Sequence, residues 1–228
     1  MRLKRAPLLF RTVYDDQEMD DCFHDLIHAR MSEQDKIEIG CLIQYFMILK
    51  SHRLIELPLD FTKHRQGEGP DFTVCDGGGL FGVEMTKVTT ADYQIWLKRR
   101  RSYRAFGDLN DYMEYRPEQR VSALAGVRVL RKNYKIENYF ASVPEMSQCD
   151  LVLEEDGDTA MDAPVLMGML QAEIGRLRIQ RYRRISMISG SVLYYAINTA
   201  DAQILYAPEV IPHWLKPGRA FVSSALVH

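Results

Sequence analysis

The sequence predicts a single domain of the α/β (α+β) class that spans residues 1–228. The chain is 46% hydrophobic and 26% charged, a composition that supports one sizeable buried core. Some segments place apolar residues at helical spacing, whereas others are short apolar runs bounded by glycine or proline. Together these patterns predict helices, a strand, a hairpin, a largely helical stretch, a further helix and final strands, in that order.

Two helices are predicted first. Met19, Phe23 and Ile27 share one face of a helix over residues 16–30. A second helix begins after Ser32, which is suited to cap it, and runs to about residue 50.

Three strands are predicted next, and the last two of them form a hairpin. The Asp76-Gly77-Gly78-Gly79 cluster provides the turn between these two strands. The predicted strands cover residues 54–61, 71–75 and 80–89.

The second half is predicted to hold an insertion followed by a helix and strands. Residues 91–163 are interpreted as a largely helical, basic insertion within the core, and the acidic run 154–158 as a loop. Pro164 suits a first helical turn, which predicts a long helix from residue 162 to about residue 184. The remaining predicted strands cover residues 191–197, 202–205 and 220–227.

The hairpin sequence GPDFTVCDGGGLFGVEMTKVTT places an acid, Glu84, inside an apolar strand. A buried carboxylate is costly unless something neutralises its charge. Asp71, at the start of the neighbouring strand, can lie beside Glu84. These two carboxylates and the main-chain carbonyl of Met85 would give three oxygen ligands for Mg²⁺ or Mn²⁺. The alternative is an acid near the rim of the hairpin that is solvated or paired with a lysine or arginine.

Two other motifs are interpreted as structural. Gly77 to Gly82 matches G-x-G-x-x-G, but a strand pattern follows it instead of the helix that a dinucleotide site requires. His24 and His28 have a spacing that can bind zinc, yet no third ligand is evident, and two solvated or partly packed histidines explain the pattern better.

The Pro70-Asp71 pair, the glycine turn and the run Val83-Glu84-Met85-Thr86-Lys87 resemble the motif of the PD-(D/E)XK nuclease superfamily. The resemblance covers about residues 33–90 and 164–205. It implies a restriction-endonuclease-like core, in which helices flank a central mixed sheet. It also implies that Asp71 and Glu84 bind Mg²⁺ (or Mn²⁺) and that Glu38, on the second helix, assists them.

The lysine of this motif is displaced by one residue. The family places it two residues after the second acid, where this chain has Thr86. Lys87 follows, and in a regular strand it points away from Glu84. Either a bulge turns Lys87 into the site as the catalytic lysine, or another cation replaces it, or catalysis is lost. The long helix offers substitutes and one further possible ligand, namely Gln171, Glu173, Arg176, Arg178 and Gln180.

A basic segment is predicted to contact nucleic acid. Residues 97–135 contain eleven lysines and arginines against four acids, although the whole chain has a net charge of −2. Cations neutralise phosphates, and the interleaved tyrosines can stack on bases. A solvated helical face is the alternative interpretation. The predicted contact residues are Lys98, Arg99, Arg100, Arg101 and Arg104.

The expected function is that of a magnesium-dependent nuclease that hydrolyses phosphodiester bonds, endo- or exonucleolytically, in DNA rather than RNA. The alternative is a catalytically inactive protein of the same fold that binds nucleic acid or a protein partner. Four widely spaced cysteines favour reduced thiols and a cytoplasmic location. No apolar run approaches the ~20 residues of a membrane span, so no membrane partner is expected. A homodimer is compatible with these expectations.

Overall fold

The fold is built on one eight-stranded sheet whose strands lie side by side in chain order. The computed structural model describes residues 9–28, 31–88, 117–155, 163–177, 182–189, 192–197 and 201–206. The strands are β1 (Leu9–Val13), β2 (Leu59–Lys63), β3 (Phe72–Asp76), β4 (Gly79–Lys87), β5 (Gln148–Glu155), β6 (Arg184–Ser189), β7 (Val192–Ile197) and β8 (Asp201–Tyr206). The helices are α1 (Asp16–His28), α2 (Glu33–Ser51), α3 (Pro117–Asn133), α4 (Ile136–Ser142) and α5 (Ala163–Leu177).

The sheet is mixed. Strands β1 to β4 form an antiparallel meander. Strand β5 then runs parallel to β4, and β6 runs parallel to β5. The sheet ends with the antiparallel strands β7 and β8. A mixed sheet with helices confirms the predicted α/β class.

The two faces of the sheet are covered by different helices. Helix α2 contributes to a core cluster on the first face, together with inward residues of β2, β3 and β4. Helices α3, α4 and α5 contribute to a second cluster, which covers the opposite face. Strand β5 contributes residues to both clusters, because Val152 belongs to the first while Leu151 and Leu153 belong to the second. None of the helices in the described ranges has the length and hydrophobicity of a membrane-spanning segment.

Helix α2 begins where the sequence predicts. The Ser32 hydroxyl accepts a hydrogen bond from the Asp35 amide at 3.1 Å and so caps the first turn. Residues 39–46 are all buried, since neighbouring elements surround this helix instead of leaving one side in water. The hairpin is also confirmed, with β3 and β4 joined at Gly77 and Gly78.

The stretch 91–163 is not simply an insertion. Its described part, residues 117–155, supplies α3, α4 and the strand β5 between β4 and β6. Glu154 and Glu155, predicted to lie in a loop, end that strand. A parallel strand that is buried on both faces shows a continuous apolar run, here Leu151 to Leu153, instead of an alternating pattern. For this reason the sequence pattern missed β5.

Other boundaries also differ from the predicted ones. Helix α5 is described as far as Leu177, and Arg184, the predicted end of that helix, instead begins strand β6. Strand β1 was not predicted, and the strand predicted at residues 54–61 is observed as Leu59–Lys63. Residues 220–227 lie outside the described residues.

The packing of β4 against the second cluster can be tested at Gly82. A Cβ atom there would lie 2.5 Å from Met146 Sδ and 3.1 Å from both Cys149 Sγ and Pro70 Cγ. We expect Gly82→Ala to lower the free energy of unfolding by about 1–3 kcal/mol in urea titrations, since an added methyl group overpacks this contact. Gly77→Ala is the matched control, because nothing lies within 4 Å of its Cβ position. Equal stability of the two variants would contradict this packing.

Candidate active site

The two hairpin acids lie opposite each other, with Asp71 immediately before β3 and Glu84 on β4. Phe72 pairs with Val83, so the register places the next residues outward, Asp71 and Glu84, side by side. The Asp71 amide donates to Glu84 Oε2 at 3.2 Å, and the Met85 amide donates to Asp71 Oδ2 at 2.8 Å. The hairpin thus brings the acids together as the sequence predicts.

Glu84 is buried on the sheet face that α3 and α4 cover, with 3% of its surface exposed. Lys132, in the last turn of α3, contacts Glu84 Oε1 with its Nζ atom and donates to the main-chain oxygen of Met85 at 3.2 Å. Tyr139 on α4 donates to Glu84 Oε1 at 2.7 Å. We call Asp71, Glu84, Met85, Lys132 and Tyr139 the hairpin site. Glu84 Oε1 and the Met85 main-chain oxygen, which are two of the predicted metal ligands, therefore both contact the Lys132 ammonium.

Asp71 has a raised pKa, chiefly because it is buried and next because a second acid lies beside it. Burial, which is the largest cause, and the neighbouring charges of Glu84 and Glu38 together raise the pKa of Asp71 to about 6. The Met85 amide and the Lys132 ammonium act in the opposite direction. Lys132 therefore compensates the acid pair only in part.

Tyr139 holds Glu84 as a neutral hydrogen-bond donor. Burial raises the pKa of Tyr139, and the charge of Glu84 raises it again. The phenol consequently keeps its proton at neutral pH. Together with the Asp71 amide, it fixes both oxygens of the Glu84 carboxylate.

The ligand atoms available at the hairpin site are oxygens, which are the atoms that hard divalent cations prefer. Mg²⁺ is commonly bound through one or two carboxylates and keeps several waters. In the part of the chain that the structure describes, no group of three or more His, Cys, Asp or Glu side chains could hold a metal ion. A metal at the hairpin site would therefore depend on Asp71, Glu84, the Met85 carbonyl and water.

Glu38 is not joined to the hairpin acids. Its Oε2 contacts the Nζ atom of Lys63, a buried residue whose ammonium also lies 4.7 Å from the centre of the Phe72 ring. The Gln34 amide donates to the other carboxylate oxygen at 2.8 Å. Glu38 raises the pKa of Asp71 through its charge. Its side chain is bonded to Gln34 and Lys63, so these contacts do not support its predicted role in the site.

Lys87 lies on the wrong face of β4 for the predicted role. The register with β5 is continuous from Phe81 to Lys87, so no bulge interrupts the alternation of side chains there. Lys87 Nζ lies 3.9 Å from Glu154 Oε2, on the face that it shares with the buried Met85. The lysine beside the acids is Lys132 instead.

Most of the remaining predicted candidates lie outside the described residues. The proposed nucleic-acid contacts Lys98, Arg99, Arg100, Arg101 and Arg104 lie outside the described residues, as do Arg178, Gln180 and the side chains of His24 and His28. On α5, Arg176 Nη2 pairs with Glu173 Oε1 at 2.5 Å, and the arginine side chain is 67% exposed.

Lys132 and Tyr139 are the site residues that the sequence analysis missed. Lys132 belongs to the basic segment, residues 97–135, that the sequence predicts to contact nucleic acid. Val121, Ala125 and Val129 form the buried stripe of α3, and Lys132 continues it three residues later. A lysine on an apolar helical face indicates a buried charge partner, and this signal was available in the sequence.

Comparisons with known proteins add nothing to this geometry. The chain matches no protein-family model, no curated protein and no solved structure. The function is therefore argued from the hairpin site and its surroundings.

The raised pKa of Asp71 predicts how stability changes with pH in metal-free protein. Because the pKa is about 6 in the folded state against an ordinary 3.8, the folded state binds a proton more tightly than the unfolded state. The stability contributed by Asp71 is therefore present below about pH 4 and is lost as the pH rises through about 6, by up to about 3 kcal/mol.

Urea unfolding between pH 4 and pH 7 measures this effect in the wild type and in Asp71→Asn. The charges of Glu84, Glu38 and Lys132 face Asp71 in both proteins, so the difference between the two curves isolates Asp71. The wild type should lose stability relative to the variant as the pH rises. Parallel curves would contradict the raised pKa.

Proposed function

We propose that this chain is a metal-dependent nuclease that hydrolyses phosphodiester bonds, in DNA rather than in RNA. The observation that carries the proposal is the convergence of Glu84 Oε1 and the Met85 main-chain oxygen on one cation, beside the partly exposed Asp71. The order α2, β2, β3, β4 and a parallel β5 supports a restriction-endonuclease-like core as part of the same proposal.

Asp71, Glu84 and the Met85 carbonyl are the residues that would hold Mg²⁺ or Mn²⁺. A divalent cation at such oxygens lowers the pKa of bound water and stabilises negative charge on a phosphate. Tyr139 and the Asp71 amide keep the Glu84 carboxylate in one orientation. Asp71 is more exposed than Glu84, and its pKa of about 6 applies to the metal-free protein, because a bound cation would favour the charged, ligating form.

The end of α3 supports nucleic acid as the substrate. Lys132 is followed closely by the exposed residues Tyr134 and Lys135, and preceded by the exposed Arg131. The contact between Lys132 and Glu84 places this basic end of the helix beside the acids. Cations there would neutralise phosphates, and the ring of Tyr134, which is 76% exposed, can stack on a base.

A catalytically inactive protein of this fold, which binds nucleic acid or a protein partner, is the second candidate. It is favoured by the lysine contacts of two predicted site acids, Lys132 with Glu84 and Lys63 with Glu38. Buried ion pairs of this kind also occur as purely structural elements.

Cleavage assays distinguish the two candidates. We expect Asp71→Asn and Glu84→Gln each to reduce magnesium-dependent cleavage at least about 100-fold, because each removes charge that would hold the metal. Linear and circular duplex DNA and single-stranded RNA, each with Mg²⁺ or Mn²⁺, separate endonuclease from exonuclease action and DNA from RNA.

Glu68→Gln is the matched control for these assays. Glu68 is an exposed acid in the connection between β2 and β3, so its loss should leave cleavage unchanged. Circular dichroism confirms that each variant is folded. A folded wild type that cuts none of the substrates with either metal would favour the inactive candidate, and cleavage by both hairpin variants at the wild-type rate would place the reaction elsewhere.

A further inference from the structure

We infer that Lys132 is an internal competitor of the divalent cation, so that metal binds the hairpin site only when the Lys132 ammonium leaves it. The inference deepens the proposed function and rests on it, because it requires Mn²⁺ or Mg²⁺ to use Glu84 and Met85. It concerns regulation of the site by a residue of this chain.

The ammonium and a metal ion would need the same oxygens. Lys132 Nζ contacts Glu84 Oε1 and lies 3.2 Å from the Met85 oxygen. A bound Mg²⁺ lies about 2.1 Å from its oxygen ligands. Two cations on the same pair of oxygens would be only a few ångströms apart in a buried site, where like charges repel strongly. Binding of the two is therefore mutually exclusive.

The lysine, and not the acid, is the part that can move. The Lys132 side chain is 19% exposed, whereas that of Glu84 is 4% exposed. Lys132 stands one residue before the end of α3, next to a turn whose residues Tyr134 and Lys135 are exposed. Glu84 also accepts hydrogen bonds from Tyr139 and from the Asp71 amide, and neither of these bonds involves the ammonium. The ammonium can swing into water while the oxygens stay in place.

The contact of the Lys132 ammonium with Glu84 stabilises the hairpin site when no metal is bound. Without a cation, two adjacent carboxylates beneath α3 would repel each other, and Lys132 relieves that repulsion. The metal must then replace an interaction that already exists. Its apparent affinity is lowered by the strength of the Lys132 contacts, which sets a threshold concentration for loading.

Direct titration of Mn²⁺ into the full chain, without nucleic acid, tests the inference. Lys132→Met removes the ammonium and keeps a flexible chain, so we expect its dissociation constant for Mn²⁺ to be at least about tenfold lower than that of the wild type. Lys132→Arg keeps the charge and should bind as weakly as the wild type. Lys135→Met removes a neighbouring exposed charge and should leave the affinity unchanged.

Lys132→Gln serves as a second variant if Lys132→Met does not fold, and it should also bind Mn²⁺ more tightly than the wild type. Unchanged or weaker binding by the neutral variants, with binding lost in Glu84→Gln, would overturn the competition but leave the metal site intact. Absence of Mn²⁺ binding in the wild type and in the neutral variants would overturn the competition and the proposed metal site together.

Discussion

The charge of Glu84 is the constraint on which the site depends. A carboxylate that is only 3% exposed, in the middle of a strand, requires positive charge and hydrogen-bond donors around it. Lys132 and Tyr139 supply them from α3 and α4, across the face of the sheet. The same acid accepts a hydrogen bond from the Asp71 amide and so connects the residue that precedes β3 to β4. One buried charge thereby joins a hairpin to two helices that are distant in sequence.

A second buried acid, Asp150, is neutralised by a structural ion pair in this protein. Asp150 on β5 is fully buried and accepts two hydrogen bonds from Arg183, at 2.8 Å and 2.6 Å. Tyr45 donates to it at 3.1 Å, and the Arg183 guanidinium lies 3.8 Å from the centre of the Phe81 ring. A planar, stacked guanidinium is held far more rigidly than an ammonium on a flexible chain. Asp150 is therefore locked, whereas the Lys132 contact with Glu84 is suited to exchange.

The sequence allowed the hairpin and its acids to be predicted because their geometry is local. A side-chain period of two and a glycine turn fix the faces of Asp71, Glu84 and Met85, and the Ser32 cap fixes the start of α2. The α/β class follows from the same patterns. The same period also implies that Lys87 points away from Glu84, and the structure shows no bulge in β4 that would change this direction.

What the sequence could not supply is the partner of each charge. The contacts of Glu84 with Lys132 and of Glu38 with Lys63 join residues that are 48 and 25 positions apart, and no local pattern encodes them. Strand β5 was missed because its continuous apolar run lacks the alternation of a half-buried strand. Without β5, the stretch around α3 was interpreted as an insertion, and Lys132 as a surface cation rather than part of the site.

A crystal structure of the full chain grown with Mn²⁺, with anomalous scattering measured at the manganese edge, tests the central claim most directly. The account predicts an anomalous peak about 2.2 Å from the Met85 carbonyl and from carboxylate oxygens of Asp71 and Glu84, with the Lys132 ammonium displaced towards solvent. A manganese-saturated crystal with no peak at these oxygens, and with Lys132 still on Glu84, would contradict it and identify the hairpin site as a structural ion pair.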